Sequence, residues 1–208
     1  MSTAGFDMAA ANAPNEKAES ILAAAQRTFL ASGFGAASMD AIARAAGASK
    51  ATLYAYFSNK EELFGAVVAR VGERYAQGFT AGELDAGDVV ASLTAIAERF
   101  LRLLLSPDAI AINRIIIGEV ARFPVLAEVF WQAGPARTRV QLETFFRQAI
   151  EAGTLDIADP RLAAEQFASL ARGEIHLQAL LGLGVADDEA ISAAAGHAVA
   201  TFLRAFGK

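Results

Sequence analysis

Hydrophobic residues recur along the chain at the spacing of amphipathic helices. In the first clear segment the helix-spaced apolar residues are Ile21, Leu22, Ala25, Phe29 and Leu30. No segment shows a sustained alternation of apolar and polar residues bounded by turn residues, so the pattern predicts no β-strand. The chain of 208 residues is therefore predicted to be all-α.

Caps and glycines divide the first part of the chain into short helices. Gly33 is expected to end the first helix. Ser38 is expected to cap a short second helix that Gly47 ends, because serine is a preferred N-cap and glycine a preferred C-cap. A third helix is predicted from Ser49 to about Phe57.

A longer fourth helix and a series of further helices follow. The capping box Ser58-Asn59-Lys60-Glu61 predicts a helix that runs to about Phe79, and 80–87 reads as a linker. Asp88 is expected to cap a helix to about Leu105. The remaining helices are predicted at 107–122, 125–133, 135–152, 160–184 and 187–206.

Three short helices with a tight glycine turn are typical of a helix-turn-helix unit, here at about residues 38–57. At about 100° per residue, Leu53 and Phe57 of the third helix face inward, and Ala51 and Ala55 lie at the outward pole. The polar groups around this pole belong to Lys50, Thr52, Tyr54 and Tyr56. Either tyrosine taken alone also fits a packing role, whereas the whole set favours contact with DNA phosphates and base edges.

The distribution of charge supports this interpretation. The formal net charge is −5, which taken alone argues against nucleic-acid binding. However, the interval between Asp40 and Glu61 contains three basic residues and no acid. These basic residues are Arg44, Lys50 and Lys60. A locally basic surface on an acidic protein is compatible with phosphate contact.

A nearly continuous set of residues then carries a family resemblance. It comprises Gly33-Phe34, Ser38-Met39-Asp40-Ala41-Ile42-Ala43, Ala46-Gly47, Ser49-Lys50-Ala51-Thr52-Leu53-Tyr54, Tyr56-Phe57 and Lys60-Glu61-Glu62-Leu63-Phe64. In type and spacing they resemble the DNA-binding domain of TetR-type transcriptional regulators over about 16–75. Ala37 and Ala48 depart from the family pattern, which often has Thr and Val there.

The resemblance implies a role for each matched position on double-stranded operator DNA. The residues implied to face the DNA backbone are Ser38, Ser49, Thr52, Tyr56 and Lys60. Those implied to lie nearest the bases are Lys50, Ala51 and Tyr54. Arg44 is a candidate phosphate partner by charge alone. The chain then divides into a flexible tail at 1–14, a DNA-binding domain at 15–75 and a regulatory and dimerisation domain at 76–208.

The C-terminal part resembles a particular type of regulatory domain. The stretch Arg114-Ile115-Ile116-Ile117-Gly118-Glu119-Val120-Ala121-Arg122-Phe123-Pro124, with Leu126, Phe130-Trp131 and Gly134-Pro135, looks like the AefR-like domain. This resemblance implies a homodimer in which the last two helices of each chain form a four-helix bundle. On the last helix a broad apolar stripe is the predicted interface: Ala190, Ile191, Ala194, Ala195, Ala198 and Phe202.

A ligand-sensing domain needs a cavity, and aromatic and aliphatic side chains are the usual walls of such cavities. The residues predicted to line an effector site are Phe100, Leu104, Ile116, Trp131, Phe145 and His176. His176 also fits the simpler role of a core or interface residue. Since no charged cluster stands out in this half of the sequence, a small, mainly apolar or aromatic effector is predicted.

Other kinds of site are not indicated. The chain has no cysteine and only two histidines, so no metal site or other cofactor is predicted. It shows no Ser-His-Asp pattern or glycine-rich phosphate loop, so it is not expected to be an enzyme. The longest uncharged stretch, 190–203, is too short to span a membrane, which suggests a cytoplasmic, nucleoid-associated protein.

The leading hypothesis is thus a homodimeric, ligand-responsive transcription factor that represses its target. Activation, or regulation without a ligand, would use the same DNA-binding residues. The alternative from another class is an all-α small-molecule binding protein or enzyme in which the three short helices are only structural. Binding to genomic DNA fragments distinguishes this alternative from the leading hypothesis.

Overall fold

The computed structural model describes residues 8–76, 84–184 and 186–208. These ranges contain ten α-helices and no strand, and a single antiparallel bridge joins Leu155 to Gly207. The helices are α1 (Met8–Ala36), α2 (Met39–Ala45), α3 (Lys50–Tyr56), α4 (Lys60–Ala76), α5 (Val89–Leu104), α6 (Pro107–Glu119), α7 (Val125–Ala133), α8 (Pro135–Glu151), α9 (Pro160–Leu181) and α10 (Asp188–Phe206). The all-α prediction is confirmed. Within these ranges no helix combines the length and the hydropathy needed to cross a bilayer.

Side-chain caps explain why most helices begin where the sequence predicts. Ser38 accepts a hydrogen bond of 3.2 Å from the backbone N–H of Ala41, and Ser49 accepts one of 3.0 Å from Thr52. The same arrangement starts α5, α6, α9 and α10, where the capping residues are Asp88, Ser106, Asp159 and Asp187. A cap involves residues of one turn only, and the local sequence is therefore enough to locate it.

The prediction of a flexible tail is wrong for residues 8–14. Helix α1 begins at Met8, seven residues before the expected start at Asn15. Four of the seven residues in this segment are alanine, which has the highest helix propensity of all residues. The rest of the predicted tail, residues 1–7, lies outside the described residues.

The capping box before α4 lies one residue later than predicted. Asn59, not Ser58, accepts the hydrogen bond from the Glu62 N–H, at 2.7 Å. The Glu62 carboxylate in turn accepts from the Ser58 hydroxyl and backbone N–H, and these bonds lower the pKa of Glu62. The predicted end of this helix near Phe79 and the start of the 80–87 linker lie outside the described residues.

Two glycines interrupt helices with backbone angles that other residues rarely adopt. Gly33 has φ 76° and ψ 172°, and Gly173 has φ 49° and ψ −160°. Gly33 therefore breaks α1, as predicted, but helical structure resumes and runs to Ala36. The break at Gly173 in α9 leaves no trace in the apolar pattern of the sequence.

Two apolar cores hold the helices together, and they do not follow the order of the chain. The N-terminal core joins α1–α4 to Ala109 and Ile112 of α6 and to Leu126 of α7. The C-terminal core packs α5, α8, α9 and α10 around rings that include Phe146 and Phe202, 5.2 Å apart. Helices α6 and α7 follow α5 in sequence, yet they share a core with the short N-terminal helices.

Candidate nucleic-acid interface and ligand cavity

Helix α3 has the two faces that its sequence predicts. Leu53 is fully buried and belongs to the same core as Ile42 of α2. Ala51 and Ala55 are exposed on the opposite side, and the Tyr54 side chain is 43% exposed. Two exposed alanines allow the helix backbone to approach another surface closely, as a recognition helix in a DNA groove must.

The hydroxyl groups at the start of α3 lie close together. The Ser49 and Thr52 oxygens are 2.8 Å apart, and both residues lie at the surface. Tyr56 is half-buried and packs against the N-terminal core. Its ring therefore has the packing role that the sequence left open for either tyrosine. Ser38 is exposed at the start of α2.

Lys50 bridges the two helices of the helix-turn-helix unit. Its Nζ lies 2.9 Å from Asp40 Oδ1, and the Lys50 side chain is 62% exposed. The hydrogen bond to Asp40, followed by the charge of that carboxylate, raises the pKa of Lys50. Exposed ion pairs contribute little to stability, so Lys50 can exchange Asp40 for a DNA acceptor at small cost. Arg44 is also exposed, on α2.

Lys60 has protein partners that its sequence position does not suggest. Its ammonium group donates to the backbone carbonyls of Phe34 and Ala37, at 2.8 and 2.9 Å. It also lies 4.3 Å from the centre of the Phe34 ring. Two of its three N–H donors thus hold the end of α1 against α4. The Lys60 ammonium group is thus engaged within the protein, and its contact with a DNA phosphate stays a prediction.

Glu119, the last residue of α6, binds the same end of α1. Its carboxylate oxygens accept hydrogen bonds from the backbone N–H of Phe34, at 2.7 Å, and of Gly35, at 2.6 Å. A Cβ atom on Gly33 would lie 2.4 Å from Glu119 Oε1, and one on Gly35 would lie 2.8 Å from Oε2. Both glycines are therefore needed for the carboxylate to approach this closely.

Glu119 is not among the site residues that the sequence predicts. The two glycines that flank Phe34 are a visible signal of close approach. However, the carboxylate that approaches them lies 84 residues further along the chain. A single sequence contains no information that pairs such distant positions.

A cavity of about 570 Å³ lies between α4, α5, α6, α7, α8 and α9. Four of the six residues predicted for an effector site line it: Phe100, Leu104, Trp131 and His176. Helix α6, which carries Glu119 at its end, contributes Ala109, Ile112 and Asn113 to the wall. The same helix therefore contacts both the cavity and the end of α1.

The prediction is wrong for the other two residues. Phe145 is only 3% exposed and packs beside Phe146 in the C-terminal core, because the cavity-facing positions of α8 lie near its start, at Thr138 and Arg139. Ile116 lies one turn beyond Ile112 on α6 and packs against the N-terminal core instead. Periodicity places residues on a face of a helix, but it does not show where along the helix the cavity ends.

The cavity is more polar than the sequence suggested. Arg139, Arg161, Glu165 and Arg172 all line it together with His176. Burial, and secondarily the charge of Arg172, lowers the pKa of His176, so this imidazole is neutral at pH 7. The helix positions of these residues gave no hint that α8 and α9 bring them together.

Much of the predicted dimer stripe on α10 packs within its own chain, although Ala194 and Ala198 also line a groove beside α9. Ile191, Ala195, Ala198 and Phe202 are buried in the C-terminal core of their own chain. Only Ala190 and Ala194 are half-exposed. Helix α10 has small apolar residues on several sides, and its most apolar stripe packs against other helices of the same chain.

Helix α9 supplies the exposed apolar surface instead. Leu162, Leu170, Leu177 and Leu181 are between 41 and 65% exposed. A groove of about 320 Å³ runs between α9 and α10 beside them. Its lining residues are Leu170, Ala171, Gly173, Glu174, Ile175, Ala194, His197, Ala198 and Thr201.

Comparisons with known proteins agree with this architecture. The sequence profile of the bacterial regulatory proteins of the tetR family matches residues 21–67, and the profile of the AefR-like transcriptional repressor C-terminal domain matches residues 91–208. The chain is 34% identical over 103 residues to Rv1255c, an uncharacterised helix-turn-helix transcriptional regulator of Mycobacterium tuberculosis. This match spans 50% of the chain and 46% of that relative, so the chain covers about half the length of the curated relative it matches.

Similar solved structures cover nearly the whole chain. The Flavonoid-responsive Regulator FrrA has a TM-score of 0.77 and 40% identity, over 93% of this chain and 98% of that one. A TetR transcriptional regulator from Agrobacterium tumefaciens has a TM-score of 0.76 and 26% identity, over 92% of this chain and 95% of that one. The chain therefore belongs to the TetR family of bacterial transcriptional regulators and carries an AefR-like C-terminal domain.

Proposed function

We propose that this protein is a homodimeric repressor that binds operator DNA through α2 and α3 and is released by a small ring-bearing effector. The observation that carries the proposal is the pair of hydrogen bonds from Phe34 and Gly35 to Glu119. These bonds connect α6, which lines the cavity, to the helix that precedes the helix-turn-helix unit. A ligand that shifts α6 therefore acts directly on the DNA-binding half.

The DNA-facing surface is proposed to use the polar residues around the outward pole of α3. We propose that Lys50 and Tyr54 contact base edges and that Ser49 and Thr52 contact phosphates. One recognition helix covers few base pairs, so a two-fold dimer that reads two half-sites is the expected arrangement. The exposed leucines of α9, with the groove beside α10, are proposed as the dimer face.

The effector is proposed to bind in the cavity of about 570 Å³. This volume suits a ligand of two or three rings, and Phe100 and Trp131 offer flat surfaces for them. The name of the similar regulator FrrA describes it as flavonoid-responsive. Its 40% identity supports a ring-bearing effector for this protein too.

Release from DNA requires that the effector bind the DNA-free conformation more tightly than the DNA-bound one. A ligand with equal affinity for the two conformations does not change the equilibrium between them. Bound in the cavity, the effector would displace α6 and, through Glu119, the end of α1. Matched half-sites tolerate little change in the spacing of two recognition helices. A coupling free energy of about 1–3 kcal/mol would lower operator affinity roughly 5- to 150-fold.

The proposal is tested by retention of DNA. Purified protein is mixed with genomic fragments that include the region upstream of its own gene, and retained fragments are sequenced. Specific retention that a flavonoid reverses is the expected result. Absence of any retained fragment would favour the alternative of a small-molecule binding protein or enzyme.

Substitution of α3 residues is expected to weaken DNA binding without loss of helix. Lys50→Ala should lower operator affinity roughly 5- to 150-fold and relax specificity, because a base contact is lost. Tyr56→Phe keeps the packed ring and removes only the hydroxyl, so binding to all sequences should weaken alike. Fluorescence anisotropy on operator and unrelated DNA measures both effects. Arg147→Ala, an exposed cation on α8, is the control, and unchanged affinity in both α3 variants would contradict the interface.

Substitution on α9 is expected to dissociate the dimer. Leu177 is 55% exposed, so Leu177→Glu disturbs no core but places a carboxylate in an apolar interface. Light scattering at micromolar concentration should report monomers for this variant and dimers for the unaltered protein. Val90→Glu changes an equally exposed residue of α5 and should remain dimeric. A monomeric unaltered protein, or a dimeric Leu177→Glu variant, would overturn the assignment of the interface.

A further inference from the structure

Two buried polar side-chain atoms at the cavity have no hydrogen-bond partner among the residues that the structure describes. Arg139 Nε and His176 Nε2 are buried and have no hydrogen-bond partner in the described part of the chain, and no other side-chain nitrogen or oxygen described there shares this condition. Both residues line the same cavity, and His176 is only 8% exposed. Buried polar groups normally have a partner because leaving one unpaired is costly. Their coincidence at one site therefore indicates a missing polar partner.

The charges around the cavity show which sign this partner has. Glu165 is the sole carboxylate on the wall, and it lies 3.8 Å from Arg139 Nη1 and 3.5 Å from Arg161 Nε. Arg172, an exposed residue, also lines the cavity, and none of the ion pairs between described residues includes it. With His176 neutral, three guanidinium groups face one carboxylate, on a chain whose formal net charge is −5. This local excess of positive charge favours an anion.

The rest of the wall is suited to rings. The Arg139 guanidinium lies 5.7 Å from the centre of the Trp131 ring, so one edge of the cavity combines a flat apolar surface with a cation. Phe100 and Leu104 complete the apolar part. The charged groups lie on α8 and α9, whereas most of the apolar wall comes from α4, α5, α6 and α7. A ligand that fits both parts has an apolar body and one charged end.

We propose that the effector of this cavity is a ring-bearing organic anion whose ionised oxygen is held by Arg139, Arg172 and His176. This inference rests on the proposed function in placing the effector here, and it adds the charge of the ligand. It differs from the mainly apolar effector that the sequence predicts. The ionised oxygen supplies the hydrogen-bond partner that Arg139 Nε and His176 Nε2 lack, and planar guanidinium groups bind carboxylates well.

The test compares two probes that share one ring system and differ in charge. Binding of 2-naphthoate and of its neutral counterpart 2-naphthamide to the full-length protein is measured by isothermal titration calorimetry. We expect 2-naphthoate to bind about 10-fold more tightly, the effect of one charge-assisted contact. Equal or tighter binding of the amide, or no binding of either probe at millimolar concentration, would overturn the proposal.

Variants then test whether the preference for the charged probe arises from residues of the cavity. Arg172→Met should lower the affinity for 2-naphthoate about 5- to 10-fold and change that for 2-naphthamide less than about twofold, and Arg172→Lys should restore most of the loss. Arg147→Met removes a cation from an exposed position on α8 and should change neither affinity. An equal loss for both probes in Arg172→Met would contradict the anion assignment.

Failure of the anion assignment can be distinguished from failure of the proposed repressor role. Operator binding of the ligand-free protein is measured independently of either probe. If the protein retains its operator but prefers the amide, the anion assignment fails and the DNA-binding role stands. If it binds 2-naphthoate as expected but retains no DNA, the proposed repressor role fails instead.

Discussion

Replacing Glu119 by glutamine is expected to leave effector binding intact while removing most of the effector-driven release from DNA. The amide offers one acceptor oxygen and turns an NH₂ group towards a backbone N–H, so at least one of the bonds to Phe34 and Gly35 is lost. In the unaltered protein the effector should weaken operator binding roughly 5- to 150-fold, and in the variant about twofold at most. Anisotropy with labelled operator measures release, and the emission of Trp131, the single tryptophan, reports occupancy of the cavity.

A matched variant separates this coupling from a general loss of charge. Glu128 is exposed on α7 and accepts a hydrogen bond of 2.7 Å from Gln132 of the same helix, so Glu128→Gln should leave release unchanged. Full release in Glu119→Gln, with Trp131 responding as before, would show that the signal reaches the DNA-binding half by another route. The long helix α4, whose Val68 and Val71 also line the cavity, is the physical alternative.

Gly33→Ala is expected to destabilise the fold by roughly 2–4 kcal/mol. Its φ of 76° and ψ of 172° are nearly restricted to glycine, so any side chain introduces backbone strain. The added methyl group would also lie 2.4 Å from Glu119 Oε1 and must displace the carboxylate from Phe34 and Gly35. Urea unfolding at one fixed protein concentration measures the loss, because the stability of a dimer depends on concentration.

A double-mutant cycle with Glu119→Ala distinguishes strain from loss of the carboxylate contact. Once the carboxylate is absent, Gly33→Ala meets no neighbour there and should cost only the backbone strain. The two substitutions together should therefore destabilise less than the sum of each alone, with a coupling of about 1 kcal/mol or more. Strict additivity would mean that the carboxylate does not hold the end of α1 in solution.

The helix starts and the two faces of α3 were predictable because their causes are local. Ser38, Ser49 and Asp88 each bind a backbone N–H within three residues, and such contacts can be found from neighbouring residues alone. The inward position of Leu53 follows from the helical repeat once a core exists on one side. The early start of α1 shows the limit of this reasoning, since an alanine-rich segment has helix propensity without any apolar period.

The sequence did not show which face of α10 packs within the chain, because a helix can be apolar on more than one face. The stripe of α10 that includes Ala195 and Phe202 satisfies every requirement of an interface, yet it packs within its own chain. Which face turns inward depends on how α5 and α9 pack against it, and the sequence of α10 alone does not show this packing. The exposure of Leu177 and Leu181 on α9 is decided in the same way.

The sequence by itself determined the all-α class, the helix-turn-helix unit and the family, because each rests on residue types at short, fixed spacings. It also indicated four residues of the cavity wall, Phe100, Leu104, Trp131 and His176, through their aromatic and apolar character. Only the tertiary structure decided that Glu119 binds the end of α1, that Lys60 faces carbonyl groups, and that arginines meet in the cavity. These contacts join residues from 23 to 85 positions apart or from different helices, and their partners are set by how helices pack, which no local pattern encodes.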